Sequence, residues 1–288
     1  KILILANNAR DLYNMRFELI DNIVQQDYTV YFAVPESKED KMSKLIINAG
    51  AKHVQIFINR RGTNPFEDMG LFIKYYRIIK RIDPNVILTF SIKPNIYGTY
   101  AASRLNKPVI MNITGMGSAL ANSWLKNLVK KMYAHACNKA RLVFFQNEFN
   151  REFFIKNNIV HVEKTKLIPG SGVNINKFRP MAKTNKDNKI KFLFIGRIMK
   201  EKGIEEYIEV ADVITKKYTN TEFHILGRFE ENRYKRIISG NSNPRIKYLG
   251  VSDDVRNQIK EIDCIVHPSY HEGMSNVLLE GAAMANLL

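Results

Sequence analysis

Residues 189–203 read KIKFLFIGRIMKEKG, and this stretch sets the pattern on which the fold is predicted. Its first part is an apolar run rich in Ile and Phe, which is typical of a buried strand. Gly196 ends that run, and a polar loop then leads to Gly203 and to apolar residues at helical spacing. The stretch therefore predicts a strand, a glycine-containing turn and a helix, which together begin a parallel β-α-β unit.

The same alternation extends along the chain in both directions. Predicted strands cover 2–6, 29–34, 53–58, 85–90, 108–112, 141–145, 166–169, 189–195, 221–226, 245–248 and 263–267. Predicted helices cover 13–26, 66–81, 95–105, 123–139, 203–217, 230–240, 252–262 and 275–286. Continuous apolar strands separated by helices indicate an α/β protein whose parallel sheets are covered on both faces.

Two domains are predicted from the 288 residues, because the alternation stops at the polar stretch 174–188 and then restarts. We predict a Rossmann-like, doubly wound domain at 1–173, a linker at 174–188 and a second such domain at 189–288. The two domains are expected to face each other across a ligand-binding cleft. The second domain has few predicted strands and ends on Leu287 and Leu288, so we expect its C-terminal part to be absent.

Composition narrows the class of protein. Hydrophobic residues make up 45% and charged residues 25%, which is typical of a globular chain. No apolar run approaches the roughly 18 residues of a membrane span, and the opening KILILA is too short for a signal peptide. Cys137 and Cys264 form no disulfide framework. These features predict a cytoplasmic location.

The net charge of +16 is concentrated in the first domain and linker. Residues 1–183 hold 28 basic and 13 acidic side chains, or +15, whereas residues 184–288 carry only +1. Such a distribution indicates an anionic partner for the first part: a phosphate compound, a membrane surface or nucleic acid.

The first chemical motif lies on the loop after the strand 189–195. Arg197 and Lys202 stand five residues apart beside a predicted helix start. Two cations near backbone N–H groups and a helix dipole suit a diphosphate. Two interpretations remain open from this spacing: a diphosphate site, or a pair of solvated surface residues.

The second motif, PSYHEGMSNVLLE at 268–280, also follows a strand and begins a helix. Gly273 permits a tight turn, and the N–H groups of Gly273, Met274 and Ser275 are available to an anion or a sugar hydroxyl. Glu272 and Glu280 then reach two parts of one elongated ligand. The alternative is that Glu272 is a capping charge and Glu280 an exposed helix residue.

Taken together, the two motifs resemble glycosyltransferase family 4, which contains retaining sugar transferases of the GT-B fold. The resemblance covers essentially the whole chain. In the first domain, Ser91–Asn95, Asn112–Gly117 and Phe145–Glu148 resemble the bacterial branch that builds capsule, O-antigen and related glycans on lipid carriers. The loop Ile113–Gly115 lacks the His that many relatives have there, and the family's second domain continues beyond Leu288.

The resemblance implies roles for individual residues. Arg197 and Lys202 would hold the donor diphosphate, Glu280 its ribose, and Glu272 hydroxyls of the donor sugar. Backbone around Gly227–Arg228 and Val251 would contact the base. The positive groups would stabilise the leaving diphosphate, so neither a metal nor another cofactor is expected, and no Asp-x-Asp pair is present.

The first domain would bind the acceptor, a lipid-diphosphate-linked sugar. Its predicted acceptor residues lie on loops that follow strands: Asn8, Arg10, Lys93, Asn95 and Thr114. Arg60 and Arg61 contribute there or form a solvated turn. The helices 123–139 and 66–81 are basic, and two interpretations stay open for both: contact with an anionic membrane at the inner face of the plasma membrane, or ordinary packing on the sheet.

The sequence thus predicts a retaining transferase that uses a nucleotide sugar, with UDP as the expected nucleotide, in bacterial surface polysaccharide synthesis. A non-catalytic nucleotide-sugar-binding subunit is the alternative. Nucleic acid is not expected as a partner, because no nucleic-acid-binding motif accompanies the charge.

Overall fold

The computed structural model describes residues 1–59, 62, 64–115, 123–184 and 187–288, without the side chains of 123–126. The chain divides into two compact units, Lys1–Ser171 and Gly172–Leu288. The predicted linker 174–188 belongs by its contacts to the second unit, because Phe178 is buried in that unit's core.

Within the described residues, the first unit contains a seven-stranded parallel sheet of order β3-β2-β1-β4-β5-β6-β7. Its strands are β1 Ile2–Leu5, β2 Val30–Val34, β3 Lys52–Gln55, β4 Val86–Phe90, β5 Val109–Ile113, β6 Leu142–Phe145 and β7 Thr165–Leu167. Its helices are α1 Ala9–Gln25, α2 Lys41–Asn48, α3 Pro65–Ile82, α4 Thr99–Ser103, α5 Ser123–Lys139 and α6 Glu148–Lys156. A π-helical turn, Pro94–Gly98, precedes α4, and a 3-10 turn, Val162–Lys164, precedes β7.

Alternate residues of β1 enter two different cores, which explains why the strand is apolar throughout. Leu3 and Leu5 pack in the cluster that contains Tyr75 of α3, whereas Ile4 packs in the cluster that contains Leu12 of α1. Helices therefore cover both faces of the sheet, as the continuous apolar runs predict.

The second unit repeats this plan with a four-stranded parallel sheet, counted over its described residues, of order β10-β9-β8-β11. Its strands are β8 Ile190–Ile195, β9 Thr221–Leu226, β10 Ile246–Tyr248 and β11 Cys264–Ile265, and its helices are α7 Ile204–Lys217, α8 Asn232–Ser239, α9 Arg256–Ile259 and α10 Asn276–Ala283. Phe194 packs against α7 and Leu193 packs in the cluster that contains Met284. The predicted α/β class with two Rossmann-like units is confirmed.

Several predicted boundaries were wrong. The predicted helix 252–262 is helical only at Arg256–Ile259, because the Ser252 hydroxyl and the Asp254 backbone bond to each other in a turn before it. The predicted helix 95–105 is a π-helical turn followed by a short α-helix. The predicted strand 53–58 ends at Gln55, and helices α2 and α6 add to those for which bounds were predicted.

Candidate functional site

Both motifs of the second unit lie at the switch point of its sheet. Strand β8 lies between β9 and β11, so the chain leaves β8 toward one side of the sheet and later returns to pair β11 on the other. Ligands of open parallel sheets bind beyond the strand ends at such a point. The loop 196–203 follows β8 and the loop 266–275 follows β11, so the fold brings the two sequence motifs together.

Two glycines allow the loops at this edge to approach closely. Gly203 has φ +72°, and a Cβ atom there would lie 2.2 Å from the carbonyl oxygen of Pro268. Gly227 has φ +153°, and a Cβ atom there would lie 1.7 Å from the carbonyl oxygen of Gly196. Since any side chain would collide with backbone, both positions require glycine.

Lys202, Glu272 and His267 form a charged cluster at the switch point. Lys202 belongs to the 3-10 turn Lys200–Lys202 and pairs with Oε1 of Glu272. The same oxygen lies 3.0 Å from Nε2 of His267. Burial raises the pKa of Glu272, but hydrogen bonds from His267 and Lys202 and the charge of Lys202 outweigh it and lower the pKa to about 2. Glu272 is therefore ionised at neutral pH.

The backbone around Arg197 is fixed although its side chain is exposed. The N–H of Gly196 donates to the carbonyl of Leu226 (3.1 Å), and the N–H of Ile198 donates to the carbonyl of Arg228 (2.8 Å). These bonds extend the sheet into the loop that carries both predicted diphosphate cations. The joint role of Arg197 and Lys202 remains a prediction.

Helix α10 begins directly after the second motif. Ser275 is its N-cap residue, but its side chain accepts no capping hydrogen bond, and Gly273 and Met274 precede it. The first N–H groups of α10 thus receive no side-chain cap from Ser275. Glu280, further along α10, is partly buried, and this burial raises its pKa to about 7, with smaller effects from Lys177 and Asp254.

The predicted base-binding positions differ in their surroundings. The N–H of Gly227 donates to the carbonyl of Gly250 (2.8 Å), and the carbonyl of Gly227 accepts from the hydroxyl of Tyr248 (2.9 Å). Its own polar groups are thus bonded within the protein. Val251 is exposed at the end of the same region.

Polar residues of the first unit gather at its own switch point, between β1 and β4. Asn8 caps α1, because its side chain accepts from the N–H of Asp11 (2.7 Å). Asn95 is buried and donates to the carbonyl of Asn112 (3.0 Å). Both side chains have structural partners, while Arg10 and Thr114, also predicted for the acceptor, are exposed.

Lys93 has a partner that the sequence did not indicate. Its Nζ lies 2.6 Å from Oδ1 of Asp68 on α3, and the hydroxyl of Tyr97 donates to the other carboxylate oxygen (2.8 Å). Both members of the ion pair are largely buried. A cavity of about 140 Å³ lies beside them, lined by Phe57, Ile58, Asn59, Glu67, Asp68, Gly70, Leu71, Lys74 and Lys93.

Arg16 was also missed, and it is a buried cation. Its guanidinium lies 4.8 Å from the ring of Phe90, at the end of β4, and donates to the carbonyl of Met15 and to the hydroxyl of Ser171. Burial lowers its pKa to about 10. In the described part of the chain it has no carboxylate partner.

Some predicted positions lie outside the described residues: Arg60, Arg61, Met116, Gly117 and, in the predicted basic helix 123–139, the side chains of residues 123–126. Over the ranges that are described, no three His, Cys, Asp or Glu side chains are grouped as metal ligands. None of the helices in those ranges has the length and apolar character that crossing a bilayer requires.

Comparison with protein families identifies both units. Residues 1–147, half of the chain, match the family described as glycosyl transferase 4-like, and residues 189–287 match glycosyl transferases group 1. The chain belongs to the glycosyl transferase 4-like family. The predicted family resemblance is confirmed.

The names of two curated relatives of this glycosyltransferase describe enzymes that act on lipid-linked sugars. One is the N,N'-diacetylbacillosaminyl-diphospho-undecaprenol alpha-1,3-N-acetylgalactosaminyltransferase of Campylobacter jejuni, 26% identical over 97% of this chain and 77% of the relative. The other is the UDP-Gal:alpha-D-GlcNAc-diphosphoundecaprenol alpha-1,3-galactosyltransferase of Escherichia coli, 29% identical over 76% of this chain and 61% of the relative.

Solved structures of similar fold include a glycosyltransferase from Rickettsia africae, with a TM-score of 0.75, 19% identity and coverage of 99% of this chain and 77% of that one. Anabaena HepE in complex with UDP and glucose has a TM-score of 0.74, 18% identity and coverage of 99% and 79%. At these identities the likeness establishes the fold, and the predicted GT-B class is confirmed.

Proposed function

We propose that this glycosyltransferase moves a sugar from a nucleotide sugar, with UDP as the expected nucleotide, to a lipid-diphosphate-linked sugar in bacterial surface-glycan synthesis. The observation that carries the proposal is the contact of Lys202 with Glu272 at the switch point of the second sheet. A cation and an ionised carboxylate thus meet here, each directly followed by a glycine (Gly203 and Gly273), where a diphosphate and a sugar ring can approach the backbone. The acceptor class is that of the two curated relatives.

The proposed chemistry depends on charge. Breaking the sugar–phosphate bond increases the negative charge on the departing diphosphate, and Lys202, Arg197 and uncapped N–H groups of α10 would stabilise it more in the transition state than in the ground state. We further propose that the reaction keeps the configuration of the sugar and uses neither a metal ion nor another cofactor. Glu272 would hold hydroxyls of the donor sugar, and Glu280 those of the ribose.

The acceptor would bind to the first unit. Its sequence carries the excess positive charge, which would attract a lipid diphosphate and an anionic membrane. We propose that the protein works in the cytoplasm at the inner face of the plasma membrane.

The test is UDP release from a UDP-sugar, with and without a polyprenyl-diphosphate-linked sugar. We expect release to depend on the acceptor, to persist in EDTA and to give a product with the donor's anomeric configuration by NMR. UDP binding without turnover, in a protein that includes any further C-terminal residues, would instead identify a non-catalytic subunit. Loss of turnover in EDTA would refute the metal-independent mechanism alone.

A further inference from the structure

Helix α3 has two apolar faces, and only one of them is buried. Leu71, Tyr75, Ile79 and Ile82 are buried in the first unit. In contrast, Phe66 is 87% exposed, Met69 59% and Ile73 40%. Spacings of three and four residues place these exposed side chains on one side of the helix. Packing on the sheet explains the first apolar face and leaves the second unexplained.

Cations continue the second face toward the end of the helix. Arg77, Lys80 and Arg81 are exposed and follow Ile73 at helical spacing. We call the set Phe66, Met69, Ile73, Arg77, Lys80 and Arg81 the α3 outer face. Lys74 flanks it, and its Nζ lies 5.8 Å from the ring of the exposed Phe57.

The charge of this face is not neutralised by acids among the residues that the structure describes. Over the described residues, none of Lys74, Arg77, Lys80 and Arg81 pairs with a carboxylate. The two acidic residues of the first helical turn have other partners, since Asp68 pairs with Lys93 and Glu67 accepts from Asn59 (2.9 Å). The α3 outer face therefore combines exposed apolar area with net positive charge.

We propose that the α3 outer face is the surface that lies on an anionic lipid bilayer. Phe66, Met69 and Ile73 would enter the boundary between head groups and acyl chains, while the long cationic side chains would reach the lipid phosphates. A second copy of the chain is a poorer occupant, because a two-fold contact would bring the cations of both copies together. This inference rests on the proposed function only in placing the membrane-anchored acceptor beside the enzyme.

The position of the cavity agrees with this surface. Gly70 and Lys74 of α3 line it together with Lys93 and Phe57. An acceptor whose lipid stays in the bilayer would therefore bring its head group to the cavity along α3, the helix that contacts the bilayer.

The test is co-sedimentation with phosphatidylcholine vesicles that either contain or lack phosphatidylglycerol. The variants are Phe66→Ser with Met69→Ser, and Arg77→Ser with Lys80→Ser. The matched control, Val210→Ser with Val213→Ser, removes two exposed apolar residues from α7. The cap of α3 is retained in the first variant, because Asn64 accepts from the backbone N–H of residue 66.

We expect the wild-type protein and the control to bind the anionic vesicles and to lose binding as salt increases. Both α3 variants should bind at least about tenfold more weakly, with the apolar variant keeping its salt dependence and the cationic variant losing part of it. The proposal would be overturned if the apolar variant bound the anionic vesicles as well as the control does, or if the wild-type protein bound neutral and anionic vesicles equally. A dimer in gel filtration that the apolar variant abolishes would also overturn it, because a second copy would then cover the face.

Failure of the proposed function is detected separately. With a water-soluble, short-chain diphosphate acceptor, the apolar variant should turn over at the wild-type rate, and a loss there would show that the face acts in catalysis instead. Vesicle binding does not require turnover. A wild-type protein that binds anionic vesicles but transfers no sugar would refute the proposed function and leave this inference standing.

Discussion

Replacing Glu272 by Gln is predicted to strengthen UDP binding while it slows sugar transfer. The carboxylate of Glu272 holds Lys202. A donor diphosphate that uses Lys202 must compete with that carboxylate. Gln removes the competing charge but keeps the shape of the side chain, so the cation becomes more available to the diphosphate. The hydroxyls of the donor sugar then lose the ionised hydrogen-bond partner that we propose for them, which slows transfer.

The pKa of Glu272 sets the size of the expected gain. Its fall from 4.5 to about 2 corresponds to about 3 kcal/mol of preference for the ionised form. His267 provides part of this, and the side chain is 30% exposed, so solvent screening reduces the share of Lys202 to about 1–2 kcal/mol. If the diphosphate recovers about half of this energy, or about 0.5–1 kcal/mol, UDP affinity should rise about two- to fivefold.

Isothermal titration calorimetry with UDP tests this through a double-mutant cycle. Lys202→Met should weaken binding at least about tenfold, because it removes a charge-assisted phosphate contact. In the double variant, Glu272→Gln should give no gain, since no cation is left to release. Unchanged or weaker UDP binding in Glu272→Gln alone would refute the competition and would mean that Lys202 keeps both partners in the complex.

Two further predictions concern stability. The pKa of Glu280 is about 7 in the folded chain and 4.5 ordinarily, so between these pH values the folded chain keeps a proton that the unfolded chain has released. The free energy of unfolding should therefore fall by up to about 3 kcal/mol as pH rises from about 4.5 to about 7. Glu280→Gln should remove this slope in urea titrations. Lys93→Met leaves the carboxylate of Asp68, which is 15% exposed, without its cation, and among the described residues the hydroxyl of Tyr97 is then its remaining partner. The change should lower the free energy of unfolding at neutral pH by about 2–4 kcal/mol.

Each stability prediction has an internal comparison. A wild-type protein whose free energy of unfolding does not fall over that pH interval would contradict the assignment of a protonated Glu280. For Lys93, the control is Lys107→Met, whose partner Asp83 is 70% exposed and should tolerate the loss. Equal losses in the two Lys→Met variants would show that burial of the pair with Asp68 is unimportant.

The sequence predicted the fold well where both faces of a strand are buried. In β1, and in β8 from Phe192 to Ile195, every side chain enters one core or the other or lies at its margin, so the apolar run itself identifies the strand. Prediction was poorer where local polar bonds decide a boundary, as in the turn at Ser252–Asp254 before α9. Such bonds compete with the helix and leave little trace in hydrophobic periodicity.

The position of the candidate site was predictable from the sequence, but the ion pairs that its lysines form were not. Two motifs that each follow a strand and precede a helix must lie at the same sheet edge, and β8 and β11 are neighbours. The partners of Lys202 and Lys93 come from distant segments, and periodicity carries no information about them. Arg16 did leave a signal, because it stands four residues from both Leu12 and Ile20 in the buried stripe of α1.

The two lysine–carboxylate pairs differ in a way that separates the roles proposed for them. The side chains of Lys202 and Glu272 are 17% and 30% exposed, so a ligand can reach the pair and exchange one partner. The side chains of Lys93 and Asp68 are only 10% and 15% exposed, and the hydroxyl of Tyr97 donates to the same carboxylate. Separating that buried pair would leave a charge uncompensated, which is costly. Lys93 would therefore serve an acceptor while still bound to Asp68, by shaping the cavity, whereas Lys202 can move its charge onto a diphosphate.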